Sequence, residues 1–177
     1  MYWGSGILSY VSDFFEIFWR WVLGQEIERK FLIDRDKLGE LSGGTRICQG
    51  YINTQDETAV RIRIKGEKAF LTIKGKNVGP VRAEFEYAIP MDDAQNMLES
   101  FCSGGTIDKT RYEVAYKGHT WEVDIFYGAN QGLVFAEVEL EDEHEEVIMP
   151  AWVTTEVTED PRYYNVNLLS YPFCDWT

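Results

Sequence analysis

The sequence predicts an α+β fold, mainly antiparallel β, whose strands close into a barrel with helices packed on the outside. Three observations carry this. Apolar and polar residues alternate in stretch after stretch, short Gly-containing turns separate the stretches at hairpin spacing, and the polar positions are nearly all charged. With 177 residues and a hydrophobic fraction of 45%, the chain is long enough for one domain with a real core.

Residues 1–24 stand apart. "MYWGSG" reads as a short leader, and "ILSYVSDFFEIFWRWVLG" carries Ser9, Ser12, Asp13, Glu16 and Arg20 at helical spacing among bulky apolar groups. It lacks the basic start, unbroken apolar run and cleavage site of a secretory signal. Its three charges count against a membrane span, which needs about 20 mostly apolar residues. Three readings stay open: an appended segment, an interfacial membrane helix, or a helix docking on the body or on another subunit.

Residues 25–177 read as one domain. Successive strand side chains point to opposite faces, so "EIERKFLI" sets Glu26, Glu28 and Lys30 on one face. In "TAVRIRIK", Arg61 and Arg63 oppose Ile62 and Ile64; the turn "KGEK" at Lys65 to Lys68 leads to "AFLTIKG", where Lys74 opposes Leu71 and Ile73. "KGKNVGP" at Lys74 to Pro80 precedes "VRAEFEYAI", in which Glu84 and Glu86 oppose Ala83, Phe85 and Tyr87. "MDDAQNMLES" predicts a helix, with Asp92 and Gln95 at capping-box spacing.

The pattern then resumes. "DKTRYEVAY" sets Lys109 with Arg111, "KGH" at Lys117 to His119 turns the chain, and "HTWEVDIFY" sets Glu122 with Asp124. After "GANQG" at Gly128 to Gly132, "LVFAEVELE" sets Glu137, Glu139 and Glu141 against Ala136, Val138 and Leu140. "DEHEEVIM" repeats the capping spacing with Asp142 and Glu145 and predicts a second helix. A third, short helix is expected over Asn165 to Tyr171.

An open sheet facing water mixes Ser, Thr and Gln with its charges. Here almost every strand carries a dense charged row, which a barrel would turn inward while its apolar rows pack outward. Lys30, Arg61, Arg63, Lys74, Lys109 and Arg111 would then converge as cations able to grip several phosphates. Glu26 and Glu28, with Glu137 and Glu139, supply the hard oxygen ligands that Mg2+ or Mn2+ prefers. Elsewhere the chain is acidic, with 30 Asp+Glu against 17 Lys+Arg and a net charge of −13, which repels nucleic acid and anionic membranes.

Other chemistries lack their motifs. There is no G-x-x-x-x-G-K-[ST] loop and no G-x-S-x-G elbow; His119 falls in a turn and His144 in an acidic stretch. Cys48, Cys102 and Cys174 are odd in number and lack metal-ligand spacing, so packing in a reducing cytoplasm is expected.

The ordered set "EIERKFLI", "RIRIK", "LTIKG", "RAEFEY", "KTRY", "EVDIF", "AEVELE" and "EVTEDPRYYN" resembles the CYTH superfamily, the triphosphate tunnel metalloenzymes, in particular its short bacterial inorganic triphosphatase-like members. The resemblance runs over residues 25 to 173. It implies an eight-stranded closed antiparallel tunnel, flanking helices, a C-terminal plug helix, and Mg2+- or Mn2+-dependent hydrolysis of inorganic triphosphate. By position it implies catalytic roles for Glu26, Glu28, Lys30, Glu84, Glu86 and Asp124, and metal binding by Glu26, Glu28, Glu137, Glu139 and Asp160. Substrate binding would fall to Lys30, Arg61, Arg63, Lys74, Lys109, Arg111 and Arg162. Asp160 has a competing reading as a helix N-cap; Glu141 and Lys65 share the right parity but fall toward the tunnel mouth. Tyr164 departs from the family pattern, which favours a small or basic residue there. Related branches leave thiamine triphosphatase and class IV adenylyl cyclase as alternatives, and a non-catalytic polyphosphate-binding module as another. A cytoplasmic enzyme is expected, with a homodimer as an open reading.

Overall fold

The computed structural model describes residues 25–55, 58–76 and 81–176, with the backbone alone at residues 25, 26, 81 and 82. The leader helix expected before Gln25 lies outside these residues. Among the described residues nine strands form one antiparallel sheet: β1 (Gln25–Ile33), β2 (Thr45–Ile52), β3 (Ala59–Lys65), β4 (Lys68–Lys74), β5 (Val81–Ile89), β6 (Thr106–Tyr116), β7 (His119–Phe126), β8 (Val134–Glu139) and β9 (Val153–Glu156). Their order is β5-β4-β3-β2-β6-β7-β8-β1-β9, and β5 also pairs with β1. Among the described residues, helices α1 (Arg35–Leu38), α2 (Met91–Phe101) and α3 (Asn167–Ser170) and three short 3-10 turns accompany the sheet.

The sheet is therefore not a fully closed eight-stranded barrel. Pairing between β1 and β5 is confined to three residue pairs, Gln25 with Ala83 through Ile27 with Val81, because β9 pairs with β1 at Phe31 and Ile33. The opposite edge of β1 pairs with β8 from Glu28 to Leu32. Two of the nine strands escape the periodicity analysis. The buried row of β2 is Ile47, Gln49 and Tyr51, with no charge to mark it, and β9 is four residues long.

Hairpins form where the turns predict them. At the β6–β7 junction both Lys117 (φ 50°) and Gly118 (φ 95°) are left-handed, as the two-residue turn that matches strand twist requires. Helix α2 forms, but its N-cap is Pro90 without a side-chain bond, so Asp92 lies in the first turn instead of capping it. Residues 141–149 form no helix. Both carboxylates bond backbone amides, but not as the reciprocal pair expected: Asp142 accepts from the His144 amide at 2.8 Å and Glu145 from the Glu141 amide at 2.6 Å. Glu145 is also held by His119 at 2.7 Å on β7, which pins the segment flat against the sheet. The C-terminal helix is shorter than expected, starting at Asn167.

Three apolar clusters hold the fold. On the outer face Ile27, Phe31, Trp121, Val123, Ala136 and Val138 pack under Trp152, with the Trp121 and Trp152 rings 5.5 Å apart. Helix α2 covers Ile62 and Ala69 through Ala94 and Cys102. A third cluster joins Ile107, Phe126, Leu133 and Phe135 to Tyr163 and Leu168 of the C-terminal segment. That segment is also anchored through Asn130, whose amide donates to the Leu168 carbonyl and whose oxygen accepts from the Phe173 amide at 2.8 Å. Each large side chain so buried contributes roughly 1.5–3 kcal/mol. No helix among the described residues is long and apolar enough to cross a membrane.

Candidate active site

Alternation along the strands sends one row of each into a cavity of about 740 Å³. Glu28 and Lys30 come from β1, Tyr51 from β2, Arg61, Arg63 and Lys65 from β3, and Lys74 from β4. Glu84 and Glu86 come from β5, Arg111 from β6, Glu122 from β7, and Glu137 and Glu139 from β8. Tyr164, Asn165, Val166 and Asn167 of the C-terminal segment add a stretch of wall without charge. In a chain of net charge −13, five Arg and Lys side chains that predicted phosphate binding thus face one cavity.

Ion pairs hold these groups in place. Lys30 Nζ is bonded to Glu28 at 3.1 Å and to Glu137, and it lies over the Phe135 ring. Arg111 clamps Asp124 with two bonds of 2.7 and 2.6 Å, and also donates to Glu137 and Glu122. Burial of Glu137 would raise its pKa, but the charges of Lys30, Arg111 and Lys109 outweigh that and hold it well below the usual carboxylate range. Burial likewise depresses Lys30, and the Glu137 and Glu28 carboxylates more than offset it, leaving the ammonium above its ordinary value.

A second lattice faces the first. Arg61 donates to Thr72 at 3.0 Å and to Glu86 at 3.1 Å, the Thr72 hydroxyl donates to Glu86 at 2.7 Å, and Lys74 pairs with Glu84. Arg63 differs. Its Nε donates to the Gln49 amide oxygen at 3.2 Å, and among the described residues it has no carboxylate partner. Burial, then the charges of Arg61 and Arg111, lower its pKa. The Glu86 carboxylate offsets this only in part, attracting Arg63 through space without a hydrogen bond.

Not every expected residue reaches the cavity. Lys109 and Asp124 are fully buried beneath it, paired with each other, with Lys109 Nζ 5.2 Å from the Phe126 ring centre. Burial pushes Lys109 down to about 8, more than the Asp124 charge restores. Asp160 and Arg162 lie outside the lining and pair with each other at 2.6 Å; Asp160 caps the 3-10 turn Pro161–Tyr163 by accepting from the Arg162 amide. Glu26 sits on β1 opposite Arg82, its side chain outside the described residues. Glu141 is exposed and off the lining, whereas Lys65 is on it.

Gln49 and Thr72 were not singled out by sequence, and Glu122, read on the same row as Asp124, was given no role in the site. Gln49 and Thr72 act through cross-strand partners, Arg63 and Glu86, that only register reveals.

The carboxylates on the lining fit a hard divalent cation in kind, since the cavity offers oxygen donors and neither His nor Cys. Glu28 and Glu139 are register partners on adjacent strands, with Glu137 two residues along. Among the described residues no three such groups converge in a ready-made cluster, and Lys30 occupies Glu28 and Glu137.

Comparison with known proteins points to one family. The family model described as "CYTH domain" matches residues 24–168. An inorganic triphosphatase of Acetivibrio thermocellus is 44% identical over 151 residues, 85% of this chain and 97% of that one. An inorganic triphosphatase of Nitrosomonas europaea is 39% identical over 152 residues, 83% and 99% of the two chains. The crystal structure of an inorganic triphosphatase superposes with a TM-score of 0.60 at 34% identity, over 81% of this chain and 93% of that one. A conserved protein of Pyrococcus furiosus, 22% identical over 67% and 80% of the chains with a TM-score of 0.52, shares the fold alone.

Proposed function

The chain belongs to the CYTH domain family, and from that premise we propose that it hydrolyses inorganic triphosphate within the charged cavity of its sheet. The observation that carries this reading is the convergence of Lys30, Arg61, Arg63, Lys74 and Arg111 on one cavity of a strongly acidic chain. The charged rows act as the lining of a tunnel, with the C-terminal segment plugging one end.

Water attacks the terminal phosphorus in line with the bridging oxygen. The new P–O bond forms as the bridging P–O bond breaks, the diphosphate leaves with the bonding pair, and a proton from water passes to solvent or to a phosphate oxygen. The forked guanidinium groups of Arg61, Arg63 and Arg111 and the ammonium groups of Lys30 and Lys74 hold the phosphate oxygens and stabilise charge on the departing diphosphate. Glu84 and Glu86 fix Arg61 and Lys74 and face the cavity where an attacking water could be oriented. Asp124 acts from below by fixing Arg111, and Lys109 in turn holds Asp124. Asp160 and Arg162 fix the turn that leads into the plug.

Mg2+ or Mn2+, held by Glu26, Glu28, Glu137 and Glu139, would neutralise phosphate charge and withdraw electrons from phosphorus. The free thiols of Cys48, Cys102 and Cys174 fit a reducing cytoplasm.

The test is phosphate release from tripolyphosphate, thiamine triphosphate and ATP in parallel, with Mg2+, Mn2+ or chelator. Preference for tripolyphosphate that chelator abolishes is expected. Cyclic nucleotide from ATP, preference for thiamine triphosphate, or tight binding without turnover would overturn it in favour of the corresponding branch.

A further inference from the structure

The outer layer of the sheet has a gap. Trp152 and its neighbours cover β1, β7 and β8, and α2 covers β3 and the start of β4. Between these covers Ile73, Phe85 and Tyr87 stand 38%, 45% and 56% exposed. They form one patch, because Ile73 pairs with Phe85 and Leu71 with Tyr87 across the β4–β5 ladder. Isolated apolar residues on a surface are ordinary; a cross-strand block that continues a covered row is a surface awaiting a partner.

We propose that residues 7–24 of the same chain seat on this patch. Position is the first argument. Gln25 pairs with Ala83, Glu26 with Arg82 and Ile27 with Val81, so the point at which the leader joins the sheet lies opposite Ala83, two residues before Phe85 on β5. Composition is the second. The stretch "ILSYVSDFFEIFWRWVLG" has a narrow polar stripe and a far wider apolar surface, rich in Phe and Trp, which needs cover of its own. Charge and tethering decide among occupants. A second copy, or an anionic membrane, would have to approach a chain of net charge −13, whereas a segment joined at Gln25, whose partner Ala83 is two residues from Phe85, is present at high effective concentration. Neither Phe85 nor Tyr87 lines the catalytic cavity, so the proposal stands apart from the hydrolase reading.

The test places the photoreactive p-benzoylphenylalanine at position 85 of the full-length chain, irradiates it, and maps the cross-link by mass spectrometry. Adducts to residues 7–24 within one chain, at a yield independent of dilution, are expected. Adducts between isotopically distinct copies, adducts to added phosphatidylglycerol vesicles, or solvent quenching alone would each overturn the proposal. Phe85→Lys supplies a second measurement at an exposed position that tolerates charge. Amide exchange across residues 7–24 should quicken at least tenfold in that variant, and an unchanged rate would count against the docking.

Discussion

Arg63 rests against Gln49 at 3.2 Å and, among the described residues, against no carboxylate, although it shares the cavity with Glu84, Glu86 and Glu137. Glu86 attracts it through space, but burial and the charges of Arg61 and Arg111 outweigh that attraction, so the cation costs stability until an anion arrives. Arg63→Met should therefore raise the KM for tripolyphosphate at least tenfold while leaving the thermal midpoint unchanged or higher. Steady-state kinetics and calorimetry on one preparation check both signs.

Glu137 makes the opposite case. It is the shared partner of Lys30 and Arg111, and Glu137→Gln leaves both cations short of a counter-charge in a buried place. Losing one member of such a network costs about 3–5 kcal/mol. Urea unfolding should show a loss of that order. The depressed carboxyl contributes stability that is present above its unfolded pKa and lost as pH falls through its lower folded value. Wild type should accordingly lose stability more steeply than Glu137→Gln on acidification below about pH 4.5.

Lys109 predicts a basic limb. Its folded value of about 8 lies below the ordinary 10.5, so the folded state releases this proton first. The cost of burying the charge is borne in full below pH 8 and relieved between about 8 and 10.5, so this group's contribution to stability rises with pH across that window. Activity should move the other way, because the cavity floor loses a positive charge. The pH profile of kcat/KM should fall above about 8 in wild type, and in Lys109→Met both this limb and the matching rise in thermal midpoint should vanish.

Glu28 and Arg61 separate two kinds of loss. Glu28→Ala should raise the Mg2+ concentration for half-maximal activity at least tenfold, whereas Arg61→Ala should act mainly on the KM for tripolyphosphate. The loss in kcat/KM should be about 2.7–4 kcal/mol for either, the range for one preorganised group. Equal metal titrations in both variants would contradict the division.

Gly50 tests the packing under α2. A Cβ there would lie 2.7 Å from Cys102 Cβ and 2.8 Å from its Sγ. Gly50→Ala should cost about 1–3 kcal/mol by overpacking, read as a lower urea midpoint with kcat/KM unchanged.

The charged rows made most of the site legible, because Arg61, Arg63, Glu84 and Glu86 alternate strictly with apolar neighbours. Strand β2 was hidden for the converse reason: Ile47, Gln49 and Tyr51 present a neutral inner row, and its most useful member, Gln49, matters only through its register partner Arg63. Asp142 and Glu145 bond the amides of His144 and Glu141 instead of forming the reciprocal cap that their spacing predicts, and no helix follows, since Glu145 also bonds His119 across the fold. Parity alone could not separate Arg111 on the cavity wall from Lys109 below the floor. That difference is set by depth along the strand, where Phe126 and Phe135 fill the space.

Strand β1 also sets a constraint on synthesis. It is the earliest strand of the described chain, yet its ladder partners are β8, β9 and the start of β5, and Glu28 meets Glu139 only after more than a hundred further residues. Until β8 leaves the ribosome, Ile27 and Phe31 have little apolar surface to pack on, and nascent chains must keep them from one another. Speed of elongation, and the availability of a chaperone that shields short apolar strands, should therefore govern the yield of this protein more than its final stability does.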